Sequence, residues 1–193
     1  MSKVVIQGDV NGTGIFTVAA PNSNSNRSLT LPDAAGTLDR LERAGNVLQV
    51  VQTTFNTPSS TTSTSWATLF SASITPTSTS NKVLVIVTFS GSHTNNYSGL
   101  VRVLRNATAI GGGAGGGSFE SNVWFNIRTF ADYNINTYNN SFLDSPSSTS
   151  STTYNVQWVA TGGIIFYANR TIQNTQIYDS PNACSITLME IAA

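Results

Sequence analysis

The chain has 193 residues, and only 9% of them are charged. An ordinary soluble domain carries roughly 25% charged residues, so Ser, Thr and Asn must supply most of the polar surface here. The net charge is zero, which excludes the basic field that attracts nucleic acids or anionic lipids. Nine Phe, six Tyr and three Trp residues argue against disorder, and the length fits one domain, or one domain with a small module.

Residues 1–38 are predicted to form a small N-terminal β module. Ile15–Ala19 and Ser28–Leu31 are its strand candidates, and the turn-forming cluster Pro21–Asn26 separates them. A segment of about 38 residues cannot bury a core by itself, so the module must pack on the main domain, on copies of itself or on another protein. Residues 39–46 are the one charge-dense stretch, and we interpret them as a linker.

The main domain, residues 47–193, is predicted to be organised around the strand Lys82–Phe89. This is the longest apolar run, it is rich in β-branched residues, and polar sequence flanks it, as expected for a buried central strand. The other strand candidates are Val47–Phe55, Trp66–Ile74, Gly99–Arg105, Ala107–Ile110, Val123–Phe130, Tyr154–Trp158, Ile164–Tyr167 and Cys184–Ile191. Short strands with turn signals between them and no convincing helix predict an all-β fold, a jelly-roll-like β-sandwich.

The strand candidate Val123–Phe130 carries bulky groups on both faces. One face can pack inside the sandwich, and the other needs burial too. A subunit interface is the simplest solution, and closed cyclic symmetry makes a homotrimer our expectation. A weakly charged surface repels copies of itself poorly, which agrees with a role inside an assembly.

Three polar loops are predicted, at Ser90–Ser98, Gly111–Gly117 and Tyr133–Asn140. The second of them matches the spacing G-x-G-x-x-G, which binds a phosphate only where a helix N-terminus follows. Here the sequence leads into another strand. We therefore expect a flexible or closely packed loop in which glycine permits positive φ or a near approach of backbones.

Catalytic chemistry finds little support in the sequence. His93, the only histidine, lies in a Ser- and Asn-rich stretch and is expected to be an exposed loop residue. A histidine-based triad would have to use it, and no G-x-S-x-G elbow offers a nucleophile. The carboxylates are scattered without a calcium-loop pattern, and a glycosidase pair could assemble only in the folded chain. We expect no enzyme, no cofactor and no metal site.

Two residues of the last strand candidate carry separate expectations. Glu190 lies inside the strand, where a buried charge is costly unless it is paired, so we expect an ion pair with Arg102, Arg105 or Arg128. Cys184 is the single cysteine, which rules out an intrachain disulfide. It is expected to be a small buried residue.

Surface and targeting features complete the predictions. No apolar h-region follows Met1, and no apolar run approaches the ~20 residues of a membrane helix, so neither a secretory signal nor membrane insertion is expected. In the predicted loops, Tyr97, Tyr133 and Tyr138 are, with His93, the candidates for contacts with a ligand such as a sugar or another protein.

Two parts of the chain resemble small structural proteins of tailed bacteriophages, including cyanophages. In the N-terminal module, Gly12–Val18 followed by Asn26–Leu38 is similar to a strand–turn–LTLPDxxGTL module of phage fibre and virion-surface proteins. In the main domain, the similar segments are Ser73–Val85, Phe142–Pro146, Thr153–Gln157, Asn169–Arg170 and Ser185–Ile191.

The resemblance implies a place on the virion surface for a protein made in the host cytoplasm. The N-terminal module would attach to the major capsid protein or another virion protein, through the apolar candidates Ile15, Phe16, Val18, Leu29, Leu31 and Pro32. Two roles remain open: a trimeric capsid decoration, or cement, protein that stabilises the head, and a short tail fibre or receptor-binding knob. The shared motifs are structural, so they imply no catalytic or receptor residue.

Overall fold

A computed structural model describes residues 10–15, 17, 22, 24–26, 43–94, 97–115, 120–128, 133–175 and 180–193. The chain divides into two units, Met1–Leu38 and Asp39–Ala193. The predicted strand Ser28–Leu31 and most of Ile15–Ala19 lie outside the described residues. The second unit contains all the strands named below.

The described residues form eleven strands and no helix, which confirms the all-β prediction. The strands are β1 (Val47–Phe55), β2 (Ser59–Thr61), β3 (Ala67–Ile74), β4 (Lys82–His93), β5 (Gly99–Arg105), β6 (Thr108–Ile110), β7 (Val123–Ile127), β8 (Asn136–Asp144), β9 (Thr152–Ala160), β10 (Phe166–Ala168) and β11 (Cys184–Ile191). They make two antiparallel sheets, called sheet A and sheet B here, in an arrangement consistent with a β-sandwich.

Sheet A is built on β4, as the sequence predicts. β8 pairs with one edge of β4, while β11 and β10 pair in succession with the other edge. β1 pairs with β11, and β2 pairs with β10. The sheet therefore has four rows, in the order β1 with β2, β11 with β10, β4, and β8.

Sheet B is built on β5. β9 pairs along one edge of β5, while β7 and β6 pair in succession along the other. β3 pairs with β9 on its outer side. This sheet also has four rows, in the order β3, β9, β5, and β7 with β6.

The core lies between the two sheets and follows the strand period of two. Alternate residues of β4, namely Val83, Val85, Val87 and Phe89, are fully buried, and the residues between them are partly exposed. The ring of Phe166 lies 5.7 Å from that of Phe89 in sheet A and 5.4 Å from that of Trp158 in sheet B. Full burial of a Val or Phe side chain stabilises the folded state by about 1.5–3 kcal/mol relative to leaving it exposed.

The predicted bounds of two loops are wrong, because polar residues that the sequence places in these loops belong to paired strands. β4 continues past Phe89 to His93, since Gly91 pairs with Ala168 on one side and with Asn136 on the other. The predicted loop Tyr133–Asn140 contains the first five residues of β8. Long-range pairing, which local composition does not reveal, makes these Ser-, Thr- and Asn-rich segments extend as strands.

The argument that β7 needs a subunit interface is also wrong. Trp124, Phe125 and Ile127 are all buried within one chain. The indole Nε1 of Trp124 donates a hydrogen bond to the carbonyl of Ile110 at 2.5 Å. The sandwich and the segment after β6 therefore cover both faces of β7, and a trimer needs a different physical basis.

Candidate functional site

The loops at one end of the sandwich hold the exposed aromatic candidates. The connections β4–β5 and β9–β10 meet there through Thr161, whose Oγ1 donates a hydrogen bond to the Ser98 carbonyl at 2.7 Å and accepts one from the Ser98 amide at 3.2 Å. The Ala160 amide donates to the Ser63 carbonyl at 2.9 Å. These bonds join the β4–β5 connection to the β9–β10 connection, and the β2–β3 connection to the end of β9.

Tyr97 and Tyr133 lie at this end with their side chains 56% and 51% exposed. Tyr97 packs against Gly162, where an added Cβ would overlap its ring and where φ is +61°. Tyr133 precedes β8, whose first residue, Asn136, pairs with Gly91 near the end of β4. Two exposed phenol rings on one end can stack on a sugar or pack against a protein side chain.

His93 does not belong to this exposed set, and its predicted exposure is wrong. It is the last residue of β4, is only 1% exposed, and pairs with Phe166 of β10. Its Nδ1 lies 3.1 Å from the carbonyl oxygen of Thr94. The Ser- and Asn-rich sequence gives no sign that this segment continues β4 and pairs with β10.

Tyr138 likewise lies in a strand rather than in a loop. It is a half-buried residue of β8, pairs with Phe89, and has its ring 6.0 Å from that of Phe125. The structure therefore uses Tyr138 as packing at the edge of the core. The sequence does not reveal this, because Asn residues surround it.

Of the candidate attachment residues in the N-terminal module, Ile15 is described and is 93% exposed. The other five, Phe16, Val18, Leu29, Leu31 and Pro32, lie outside the described residues. Their predicted role in attachment stays a prediction.

Glu190 is fully buried on the inner face of β11, and the predicted arginine partner is wrong. Its Oε1 accepts hydrogen bonds from the Thr77 amide at 2.6 Å, from Thr77 Oγ1 at 2.8 Å and from Asn81 Nδ2 at 2.6 Å. Its Oε2 accepts from Gln49 Nε2 at 2.5 Å. Burial alone raises the pKa of Glu190, but the hydrogen bonds from Gln49, Asn81 and Thr77 lower it more, so its net pKa lies below the ordinary value.

Asp144 is a second buried carboxylate, and its partner is Arg105, one of the three arginines that the sequence analysis names for Glu190. Arg105 Nη1 donates to Asp144 Oδ1 at 2.7 Å, and the Tyr154 hydroxyl donates to Asp144 Oδ2 at 2.7 Å. Burial first, and then the bond to Asp144, raise the pKa of Tyr154 far above its ordinary value. Tyr154 therefore stays a neutral donor.

These two carboxylates are the pair that folding assembles. Val83 pairs with Asp144 on one side and with Glu190 on the other, so the two Cα atoms lie two strand spacings apart, about 10 Å. All four carboxylate oxygens accept hydrogen bonds from protein groups, and Val83 lies between the side chains at 0% exposure. This geometry is that of structural carboxylates that close one end of the sandwich.

The first two glycines of the tract, Gly111 and Gly112, pack closely, in agreement with the loop interpretation. Gly111 has φ +65°, and a Cβ there would lie 2.6 Å from Phe142 and 2.9 Å from Trp124. The tract connects β6 to β7, which continues the same row of sheet B, whereas a dinucleotide-binding motif connects a strand to a helix. Residues 116–119 are outside the described part of the chain.

Cys184 is fully buried in β11, which confirms its predicted place. Its Sγ donates to Asn169 Oδ1 at 3.0 Å and accepts from the Ser90 amide at 3.3 Å. Burial raises the pKa of the thiol to about 12. It is therefore a protonated packing residue at neutral pH.

Within the described ranges, no group of three or more His, Cys, Asp or Glu side chains is arranged to hold a metal ion. No helix long and apolar enough to cross a membrane occurs in the same ranges. No family model matches the chain, and no curated protein matches it.

Proposed function

We propose that this chain is a non-enzymatic structural protein on the outer surface of a tailed-phage virion. The specific role proposed is a trimeric capsid decoration, or cement, protein that stabilises the head. The sequence support is the resemblance of Gly12–Val18, Asn26–Leu38 and the main-domain segments to phage virion proteins.

The observation that carries the proposal is the order of the strands. Numbered along the chain, the eight rows are β1 with β2, β3, β4, β5, β6 with β7, β8, β9, and β10 with β11. Sheet A then has the order first, eighth, third, sixth, and sheet B the order second, seventh, fourth, fifth. This order supports a jelly roll, in which two Greek keys share eight strands between two sheets, a fold used in viral capsids.

The proposed mechanism is additive burial of surface on the head. The N-terminal module would anchor on the major capsid protein or another virion protein, and three sandwich domains would associate above it. An edge strand of the module would add to a sheet of the shell protein, with backbone hydrogen bonds giving affinity. Apolar area removed from water stabilises by roughly 25 cal/mol per Å², so many copies would clamp neighbouring shell subunits.

The test is the copy number and position of this chain on intact particles. Labelled imaging together with quantitative gel densitometry should find hundreds of copies distributed over the head. A few tens of copies confined to the tail would contradict the cement role, and absence from purified particles would contradict any virion role.

The alternative function is a short tail fibre or receptor-binding knob that contacts host surface glycan or protein. The observation favouring it is the exposure of Tyr97 and Tyr133 at the end of the sandwich where the β4–β5 and β9–β10 connections meet. Glycan screening of the wild-type chain against a Tyr97→Ala, Tyr133→Ala variant tests it. Binding that the variant loses supports a receptor role for these loops, and equal or absent binding by both proteins counts against it.

A further inference from the structure

Four apolar side chains form a continuous row across the outer face of sheet A. Val50 of β1 pairs with Met189 of β11, Met189 pairs with Leu84 of β4, and Leu84 pairs with Leu143 of β8. Val50 is 56% and Leu143 is 53% exposed, at the two edges of the sheet. This row, called the outer stripe here, has no covering layer within the described residues.

Two rows on one side of the outer stripe are neutral, and four of their seven polar side chains are hydrogen-bonded in two pairs. The rows are Gln52–Thr187–Ile86–Ser141 and Thr54–Ser185–Thr88–Asn139. Gln52 Nε2 donates to Thr187 Oγ1 at 2.8 Å, and Thr88 Oγ1 donates to Asn139 Oδ1 at 2.6 Å. Because these groups have partners within the chain, covering them costs less than burying unsatisfied polar groups.

Charge distinguishes this face from the outer face of sheet B. Across the outer stripe and these two rows, every side chain is uncharged. In the row on the other side of the stripe, Lys82 pairs with Ile191 and donates through Nζ to Ser145 Oγ at 2.8 Å. Sheet B instead carries Arg102 at the middle of its outer face. The guanidinium of Arg102 lies 4.3 Å from the centre of the Trp66 ring and donates to Gln157 Oε1.

We infer that the outer stripe is the surface through which copies of this chain associate. The inference rests on the proposed trimer and names its contact face. In a closed trimer each copy turns this face towards the other two copies, and contact across the stripe and the two neutral rows desolvates no unpaired charge. An acidic or basic partner would lose hydration of its charges here without an opposite charge to compensate it.

The size of the face agrees with a contact that includes the sheet edges. Three strand spacings of about 4.8 Å and five residues at about 3.4 Å give a face of roughly 14 by 17 Å, or about 240 Å² in projection. A stable interface buries about 800 Å² of accessible surface per partner. The stripe is therefore the centre of the interface, and the edge strands β1 and β8, where its most exposed residues lie, supply the remainder.

The test places like charges on the stripe of the full chain. Val50→Asp combined with Leu143→Asp changes the two most exposed positions, and Leu104→Asp on the outer face of sheet B is the matched control. Sedimentation velocity over a range of concentrations measures assembly, and circular dichroism melting checks that each variant is folded. We expect a wild-type trimer, a double variant whose dissociation constant rises at least tenfold, and a control that assembles like the wild type.

Leu143→Asp alone provides a milder second variant should the double variant fail to fold, and it is expected to weaken assembly in the same direction. If both variants assemble into trimers like the wild type, the outer stripe is not the contact surface, although the proposed trimer stands. Equal weakening by Leu104→Asp also overturns the assigned surface. A wild-type chain that stays monomeric overturns both the surface and the trimer, and in that case loss of particle labelling by the double variant would assign the stripe to a shell protein instead. The head or tail position is measured independently on particles.

Discussion

Asp144 and Glu190 lie on opposite sides of Val83, one on each strand that neighbours β4, and both carboxylates are buried in the sandwich. They are satisfied in different ways. Asp144 has a charged partner in Arg105, whereas Glu190 accepts hydrogen bonds from neutral donors in two separate segments, Gln49 in β1 and Thr77 and Asn81 in the β3–β4 loop. Glu190 therefore connects β1, the β3–β4 loop and β11.

Replacing Glu190 by Gln is expected to destabilise the sandwich by about 2–3 kcal/mol, since charge-assisted bonds are lost and an amide group faces donors. The free energy of unfolding from urea titration measures the effect. Glu120→Gln, which makes the same chemical change at an exposed residue, is the control and should show no measurable change. Equal stability of the wild type and Glu190→Gln would refute the structural role.

Acid should remove the contribution of Glu190. Its folded-state pKa is lowered, so below the ordinary Glu value of about 4.3 the unfolded chain binds more protons than the folded chain. The stabilisation is complete above roughly pH 5 and declines as the pH falls towards the lowered pKa. Urea midpoints of wild type and Glu190→Gln between pH 7 and pH 3 should converge on acidification, and a pH-independent difference would contradict this assignment.

Gly91 marks a close approach inside sheet A. A Cβ at Gly91 would lie 2.8 Å from Phe89 Cε1 and 2.8 Å from the carbonyl oxygen of Tyr167. Gly91→Ala is therefore expected to cost about 1–3 kcal/mol through overpacking. Gly113→Ala, at a position with no atom within 4 Å, is the control. If thermal melting shows equal stability for the two variants, the close approach at Gly91 is absent in solution.

The buried thiol of Cys184 should be inert in the folded protein. Because the thiolate is the reactive form and burial raises the pKa to about 12, a disulfide reagent at pH 8 should modify native protein at least ~100-fold more slowly than urea-unfolded protein. Absorbance of the released thiol chromophore follows the reaction. Fast, complete labelling of native protein would show that β11 is not held as described.

The sequence predicts strands well where apolar or β-branched residues are bounded by turn residues. The bounds of β1, β5 and β11 agree with their predicted ranges. The end of β4 and the start of β8 were not predictable in this way, because Ser, Thr and Asn are as common there as in loops. Their strand conformation depends on pairing between Gly91 and Asn136, which are distant along the chain.

The same limit applies to the candidate sites. Composition identifies Glu190 as a buried charge that needs partners, but Gln49 and Asn81 lie 141 and 109 residues away in the sequence. His93 reads as an exposed residue only because its neighbours are polar. The outer stripe becomes visible only once the register of four strands is known, since each strand contributes a single residue to it.

Removing residues 1–38 tests whether the N-terminal module provides attachment while residues 47–193 form the sandwich without it. The described strand pairs all lie between Val47 and Ile191, so the truncated chain should keep its fold and melt within about 4 °C of the full chain, the shift that ~1 kcal/mol causes at this size. Attachment to purified particles, measured by co-sedimentation, should be lost. A truncated chain that aggregates or melts much lower would place the N-terminal module in the folding unit, and a folded truncated chain that still attaches would place the attachment surface on the sandwich.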